Sequence, residues 1–135
     1  SYTGNNRTHM IRIPDPGRFE LRLMDGSANP YLLQASVLAA GLDGLKNKID
    51  PGKPLNCNMY EDHKKYPDLP KLPDELDQSL EKLKNNKDMN DAFGKETISS
   101  YIKLRNLELK EFKQKENFDK TKPITRWELN NTLDC

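Results

Sequence analysis

Two different spacings of apolar residues run along this chain. From Met10 to Pro14 apolar and polar side chains alternate, with Ile11 and Ile13 opposite Arg12, and the same period of two returns over Arg18-Phe19-Glu20-Leu21-Arg22-Leu23. This predicts a pair of strands within about residues 9–24, joined by the turn chemistry of Asp15-Pro16-Gly17. In the second strand the alternation places Arg18, Glu20 and Arg22 on one face and Phe19, Leu21 and Leu23 on the other. One face is left to pack and the other to hold charge.

After Asp25-Gly26-Ser27 the period lengthens to that of a helix. Asn29 suits an N-cap, Pro30 the first helical position, and Leu33, Val37, Leu38, Leu42, Leu45 and Ile49 recur at helical spacing, so a helix is predicted over about Pro30 to Lys48. Asp50-Pro51-Gly52 stops it, and Pro51, Pro54, Pro67, Pro70 and Pro73 break the following stretch into a long loop. Leu76, Leu80 and Leu83 mark a short helix over about Pro73 to Lys84, its first turn acidic with Asp74, Glu75 and Asp77. Asp88 to Phe93 adds a turn closed by Gly94. A longer helix is predicted from about Lys95 to Lys115, with Ile98, Tyr101, Ile102, Arg105, Leu109 and Phe112 on one stripe. A charged linker from Lys113 to Lys122 and Pro123 then precede a terminal helix, whose start carries the capping-box pattern of Thr125 and Glu128. Trp127 is expected to anchor that helix on Leu129 and Leu133 or on a neighbouring subunit.

The fold class is therefore α+β: an N-terminal strand pair followed by a helical remainder over 30–135, in one domain. Apolar residues make up 34% of the chain, roughly 39% with its seven glycines. An average soluble domain has about 45–50%, so the core should be thin. Two strands alone are marginal in water, and sheet strands from elsewhere are expected to complete the face.

Charge and cysteine content narrow the function classes. The 22 basic residues nearly cancel the 21 acidic ones, so no global field directs the chain to nucleic acid or an anionic membrane. No apolar run is long enough to span a bilayer, and the polar start is unlike a signal, which together point to a cytoplasmic protein. Cys57 and Cys135 lack CxxC spacing and His9 and His63 do not form a zinc set, so free thiols and no zinc site are expected. His9 is read as a partner for backbone or neighbouring side chains rather than as a catalytic base.

Four of the six arginines, Arg7, Arg12, Arg18 and Arg22, fall between positions 7 and 22, with Glu20 among them. Three readings of the strand face are open. It can be a solvated sheet face with weak ion pairs. It can bind nucleic acid, which should need a wider basic patch and interleaved aromatics. Or it can be a site for phosphate and carboxylate, whose oxygens the guanidinium fork matches, with Glu20 explained by a cation that also takes phosphate oxygens.

The order of residues favours the third. Asn6-Arg7-Thr8-His9-Met10-Ile11-Arg12-Ile13-Pro14 resembles the asparagine-arginine to arginine-isoleucine-proline segment of the glutamine synthetase family. Arg18-Phe19-Glu20-Leu21-Arg22 resembles its Arg-x-Glu-x-Arg strand, and Ala28-Asn29-Pro30-Tyr31-Leu32 with Ala40-Gly41-Leu42-Asp43-Gly44-Leu45 resembles the helix that follows. The likeness is close from Tyr2 to Pro51 and looser beyond, and it corresponds to the C-terminal third of that family's catalytic domain.

The resemblance implies an ATP-dependent ligase that joins glutamate to ammonia through γ-glutamyl phosphate. It implies that Arg7 meets the transferring phosphate and the substrate glutamate, that Arg12 and, less directly, Arg18 meet the ATP phosphates, and that Arg22 holds the substrate carboxylate. Glu20 would be a ligand of Mg²⁺ or Mn²⁺, and Arg7 and Arg22 the catalytic pair. Asp15 and Pro16 replace a loop that carries a basic nucleotide contact in common bacterial members. Asn58-Met59-Tyr60-Glu61 resembles the segment whose tyrosine is adenylylated in some of them, although Asp62 and His63 depart from its continuation. Arg18 to Leu23 with Asp25-Gly26 is similar to the branch containing γ-glutamylmethylamide synthetases, which makes methylamine the alternative acceptor. A homo-oligomer is implied for the full-length protein. A different class, a non-catalytic binding or assembly module derived from the enzyme, would keep the arginine strand only as structure.

Overall fold

The computed structural model describes residues 1–115 and 124–132. Its elements in chain order are β1 (Tyr2–Thr3), β2 (Ile11–Asp15), β3 (Arg18–Leu21), α1 (Pro30–Lys46), α2 (Met59–Asp62), a 3₁₀ turn (His63–Lys65), α3 (Leu76–Asn85), α4 (Lys87–Phe93), α5 (Lys95–Lys115) and α6 (Arg126–Asn131). They divide into a sheet unit, residues 1–26 with 50–72, and a helical unit drawn from the remainder. The α+β class holds, but the sheet has three strands rather than a pair.

In the sheet unit the order is β1-β2-β3. β3 runs antiparallel to β2 with Ile11 opposite Leu21, Arg12 opposite Glu20 and Asp15 opposite Arg18, and the register shifts between Arg12 and Asp15. Pro14 falls within that irregularity, where a residue without an N–H costs no ladder bond. Pro16 and then Gly17, at φ 77°, close the turn, a left-handed conformation that favours glycine. The added strand, β1, lies parallel to β2, with Tyr2 beside Ile11 and Thr3 beside Arg12. Two residues carry no readable alternation, so only contact with β2 and the later chain reveals them as a strand. On its other side Leu55 N donates to Tyr2 O (3.0 Å) and Tyr2 Oη donates to Gly52 O (2.7 Å).

The stretch expected to be irregular contains α2, because Asn58 caps it: its Oδ1 accepts from Tyr60 N at 3.1 Å. Of the apolar face expected to pack, Leu21 is half-buried, whereas Phe19 and Leu23 are exposed.

In the helical unit α1 begins as predicted, with Asn29 Oδ1 accepting from Tyr31 N (3.0 Å) and Leu32 N (3.1 Å). It ends at Lys46, two residues early. Lys48 takes φ 49°, its N–H bonds Leu45 O at 3.3 Å, and Ile49 N bonds Gly44 O at 2.9 Å. This is a Schellman closure with lysine in the place usually held by glycine. Leu33 and Val37 are half-buried, whereas Leu38, Leu42, Leu45 and Ile49 of the same predicted stripe are bare.

α3 begins at Leu76, three residues later than expected, since Glu75 keeps an extended backbone. α4 is capped by Asn86, whose Oδ1 accepts from Met89 N at 2.9 Å, and stops at Gly94 with φ 81°. α5 has the predicted bounds. The buried hydrophobic residues of the described chain are Leu80 on α3 and Ile98 on α5, which is the thin core that composition implied. At α6 the capping box forms, with Glu128 N donating to Thr125 Oγ1 (3.1 Å) and Thr125 N to Glu128 Oε2 (2.7 Å). Trp127 meets Phe112 edge to face at 5.6 Å, a partner the sequence reading did not name, and Leu129 is exposed. The linker residues 116–122, Pro123, Leu133 and Cys135 lie outside the described residues.

Candidate functional site

The β2–β3 register creates the charged cluster. Because Arg12 stands opposite Glu20, Arg12 Nη1 reaches both carboxylate oxygens at 2.8 Å. Arg18 Nη2 donates to Glu20 Oε1 at 3.2 Å, and Arg22 Nη1 stands 3.8 Å from Oε2. Three guanidinium groups therefore converge on one carboxylate, as the period-two reading of β3 anticipates. The hydrogen bond from Arg12, with the positive charges of Arg12, Arg18 and Arg22, holds Glu20 below the usual carboxylate range despite partial desolvation.

The three arginines differ in freedom. Arg12 is 13% exposed and its Nε also donates to Asn5 Oδ1 at 2.9 Å, whereas Arg18 is 61% and Arg22 35% exposed. Arg22 Nε donates to the Arg7 carbonyl at 3.1 Å, which ties β3 to the turn before β2. Arg7 and Arg12 line an open depression of about 620 Å³ together with Thr3, Gly4, Asn5, Asn6 and Asn56. Arg12 thus joins two groups of the predicted residues: Arg7 at the depression, and Arg18, Glu20 and Arg22 at the ion-pair cluster.

Asn5, Asn6 and Asn56 also line the depression, and the sequence reading assigned none of them a role in the site. The signal available was the Asn5-Asn6 pair directly before Arg7, amides placed where a turn aims them at neighbouring groups. His9 is a partner for backbone as expected: it is 2% exposed and its Nε2 lies 2.9 Å from Cys57 O.

A cation is the harder fit. Among the described residues no three His, Cys, Asp or Glu side chains gather as a metal cluster. Glu20 is a lone carboxylate with both oxygens on Arg12. Hard divalent cations take about six oxygens, so these residues do not fit a metal by themselves. Nor, among the described residues, is any helix long and apolar enough to cross a membrane.

The sheet thus presents an Arg–Glu–Arg face beside an arginine-lined depression, with guanidinium groups of the kind that match phosphate and carboxylate oxygens. The family model described as "Glutamine synthetase, catalytic domain" matches residues 1–129, and the chain belongs to that family. It is 45% identical over 134 residues to a glutamine synthetase of Rhizobium meliloti, covering 99% of this chain and 29% of that protein. It is 38% identical over 136 residues to a glutamate–methylamine ligase of Methyloversatilis universalis, covering 98% of this chain and 28% of that protein. A solved GmaS/ADP complex superposes with a TM-score of 0.78 at 39% identity, over 99% of this chain and 29% of the other. The chain therefore spans less than a third of the length of these relatives.

Proposed function

We propose that this chain supplies part of the active site of an ATP-dependent glutamate–amine ligase, and that its sheet and helical units belong to one catalytic domain in the intact protein. In the reaction a carboxylate oxygen of glutamate attacks the γ-phosphorus of ATP and ADP leaves. The amine nitrogen then attacks the acyl carbon of γ-glutamyl phosphate, loses a proton, and inorganic phosphate departs. Ammonia is the leading acceptor. The 38% identity to a glutamate–methylamine ligase and the likeness to GmaS support methylamine as the second reading.

The observation that carries this reading is the convergence of Arg12, Arg18 and Arg22 on Glu20 beside the depression lined by Arg7 and Arg12. Guanidinium groups stay charged at any working pH and match carboxylate and phosphate oxygens in pairs. Arg7 serves the transferring phosphoryl group and the glutamate, Arg12 and Arg18 the nucleotide phosphates, and Arg22 the substrate carboxylate. Such donors act by stabilising charge that develops as the phosphoryl group moves. Mg²⁺ or Mn²⁺, where bound in the intact protein, would supply neutralisation of phosphate charge. Glu20 would be one ligand, with no others gathered around it among the described residues. A cytoplasmic homo-oligomer is part of the same proposal.

The test is phosphate release by the intact protein with ATP and glutamate, with ammonia and methylamine supplied in turn. Arg22→Ala should lower turnover about 10²–10³-fold and raise the KM for glutamate more than that for ATP. The isolated chain should release none. Unchanged turnover in Arg22→Ala, or no release by the intact protein with either amine, overturns the proposal.

A further inference from the structure

We propose that Asn6, Thr8 and His9 are positioning residues, which hold Arg7 in place by clamping the turn that carries it onto the backbone of residues 57–59. In its bearing on turnover this rests on the ligase reading above; as a statement about the turn it does not.

The clamp has three ties, each crossing about fifty residues of chain. Asn6 Nδ2 donates to Cys57 O at 2.9 Å, and His9 Nε2 meets the same carbonyl at 2.9 Å. Met59 N donates to Thr8 Oγ1 at 3.0 Å. Within the turn, Asn6 Oδ1 accepts from both Thr8 N (2.9 Å) and Thr8 Oγ1 (2.8 Å), so Asn6 and Thr8 are also tied to each other. The receiving segment is itself fixed, because Asn58 caps α2 and Asp62 N donates to Asn58 O at 2.8 Å. From the other side Arg22 Nε holds the Arg7 carbonyl. Of residues 6 to 9, Arg7 is the exposed one, and it lines the depression.

His9 is the diagnostic member. A carbonyl opposite Nε2 requires that nitrogen to carry the hydrogen, which leaves Nδ1 as an acceptor in the neutral ring. Nδ1 is buried without a partner among the described residues. A leucine of similar size would fill the space without stranding a polar atom, so packing alone does not account for the imidazole. The bond made by Nε2 does. A long side chain can present its guanidinium reproducibly only from a fixed backbone, and a displacement of about 1 Å at a reacting group can cost on the order of 10²-fold in rate.

The experiment uses the intact protein and two substitutions. His9→Leu removes the donor at similar volume, and His9→Gln keeps a donor able to reach Cys57 O. His9→Leu is expected to lower kcat about 10–100-fold, with His9→Gln restoring most of it. In an Arg7→Lys background, adding His9→Leu should cost less than about 3-fold, because a residue that acts through Arg7 has little left to disturb. Equal losses in both backgrounds, or equal activity of His9→Leu and His9→Gln, overturn the positioning role. Amide exchange read by mass spectrometry supplies a measure independent of turnover. Residues 6–12 and 57–60 should exchange faster together in His9→Leu and not in His9→Gln; unchanged exchange overturns the clamp. Failure of the ligase reading shows separately, as absent turnover in the unsubstituted protein, and the exchange measurement then decides this proposal alone.

Discussion

Truncating Leu80 to alanine tests how little holds the helical unit together. Leu80 is 5% and Ile98 7% exposed, and they are the buried hydrophobic side chains of the described chain. Full burial of such a side chain contributes about 1.5–3 kcal/mol, so the pair supplies roughly 3–6 kcal/mol of transfer free energy. Leu80→Ala removes one share and leaves a cavity, and buried Leu→Ala changes cost about 2–5 kcal/mol. Leu83, Ile102 and Leu109 on the same two helices are only half-buried, a loose packing that favours the lower end of that range.

A loss of about 2–3 kcal/mol is a large part of what so small a core provides. Urea unfolding of the isolated chain, followed by far-ultraviolet circular dichroism, reads it. With a slope of about 1–1.5 kcal/mol/M the midpoint should fall by roughly 2 M, or the cooperative transition should vanish. Leu107, on the exposed side of α5, is the control: Leu107→Ala should stay within about 0.5 kcal/mol of the parent. If both substitutions move the midpoint equally, the two buried residues are not what stabilises the unit and the reasoning fails.

Gly94 and Gly41 should respond to alanine with opposite signs. At Gly94, with φ 81° and ψ 140°, a Cβ would meet no atom within 4 Å, so the cost is backbone strain alone, about 1–3 kcal/mol by thermal unfolding. Gly41→Ala, inside α1 and equally unobstructed, should gain about 0.5–1 kcal/mol. Glu20 predicts an acid limb: its carboxyl is held below the ordinary value of 4.5, so the ion pairs stabilise the fold above that pH and are lost as pH falls through the depressed value. Unfolding midpoints measured from neutral to acid pH should converge for the parent and Glu20→Gln below that value. A constant difference between them at every pH would refute the assignment.

Legibility in the sequence followed the range of the interactions. The cap at Asn29-Pro30, the capping box of Thr125 and Glu128, the stop at Gly94 and both ends of α5 were readable because each depends on neighbours within four or five residues. The Schellman closure at Lys48 was not, since a lysine with positive φ leaves no mark in composition. β1 was hidden for a different reason: its two residues become a strand only through parallel pairing with β2. At the site, a period of two was enough to place Arg18, Glu20 and Arg22 on one face. Nothing local in Cys57 or Met59 tells that their backbone receives the Arg7 turn, because those bonds close loops of about fifty residues.

The ion-pair cluster also indicates which arginines can turn to a ligand. Arg12, Arg18 and Arg22 surround the single carboxylate of Glu20 within a chain whose formal charge is only +1, so the excess of positive charge is local to this cluster. Arg12 spends its fork on Asn5 and on both oxygens of Glu20, while Arg18 makes one longer contact and Arg22 stands at the limit of ion pairing. Under the proposed function an entering phosphate or carboxylate would meet Arg18 most readily, since Arg22 also holds the Arg7 carbonyl and Arg12 bridges β2 and β3 through Glu20. Arg12 is the most fixed of the three and Arg18 the most free. Lysine at position 12 would keep the charge, yet a single ammonium cannot reproduce the planar fork that spans Asn5 and Glu20 at once. That exchange should loosen the strand register as well as the site, whereas lysine at position 18 should weaken ligand contact alone.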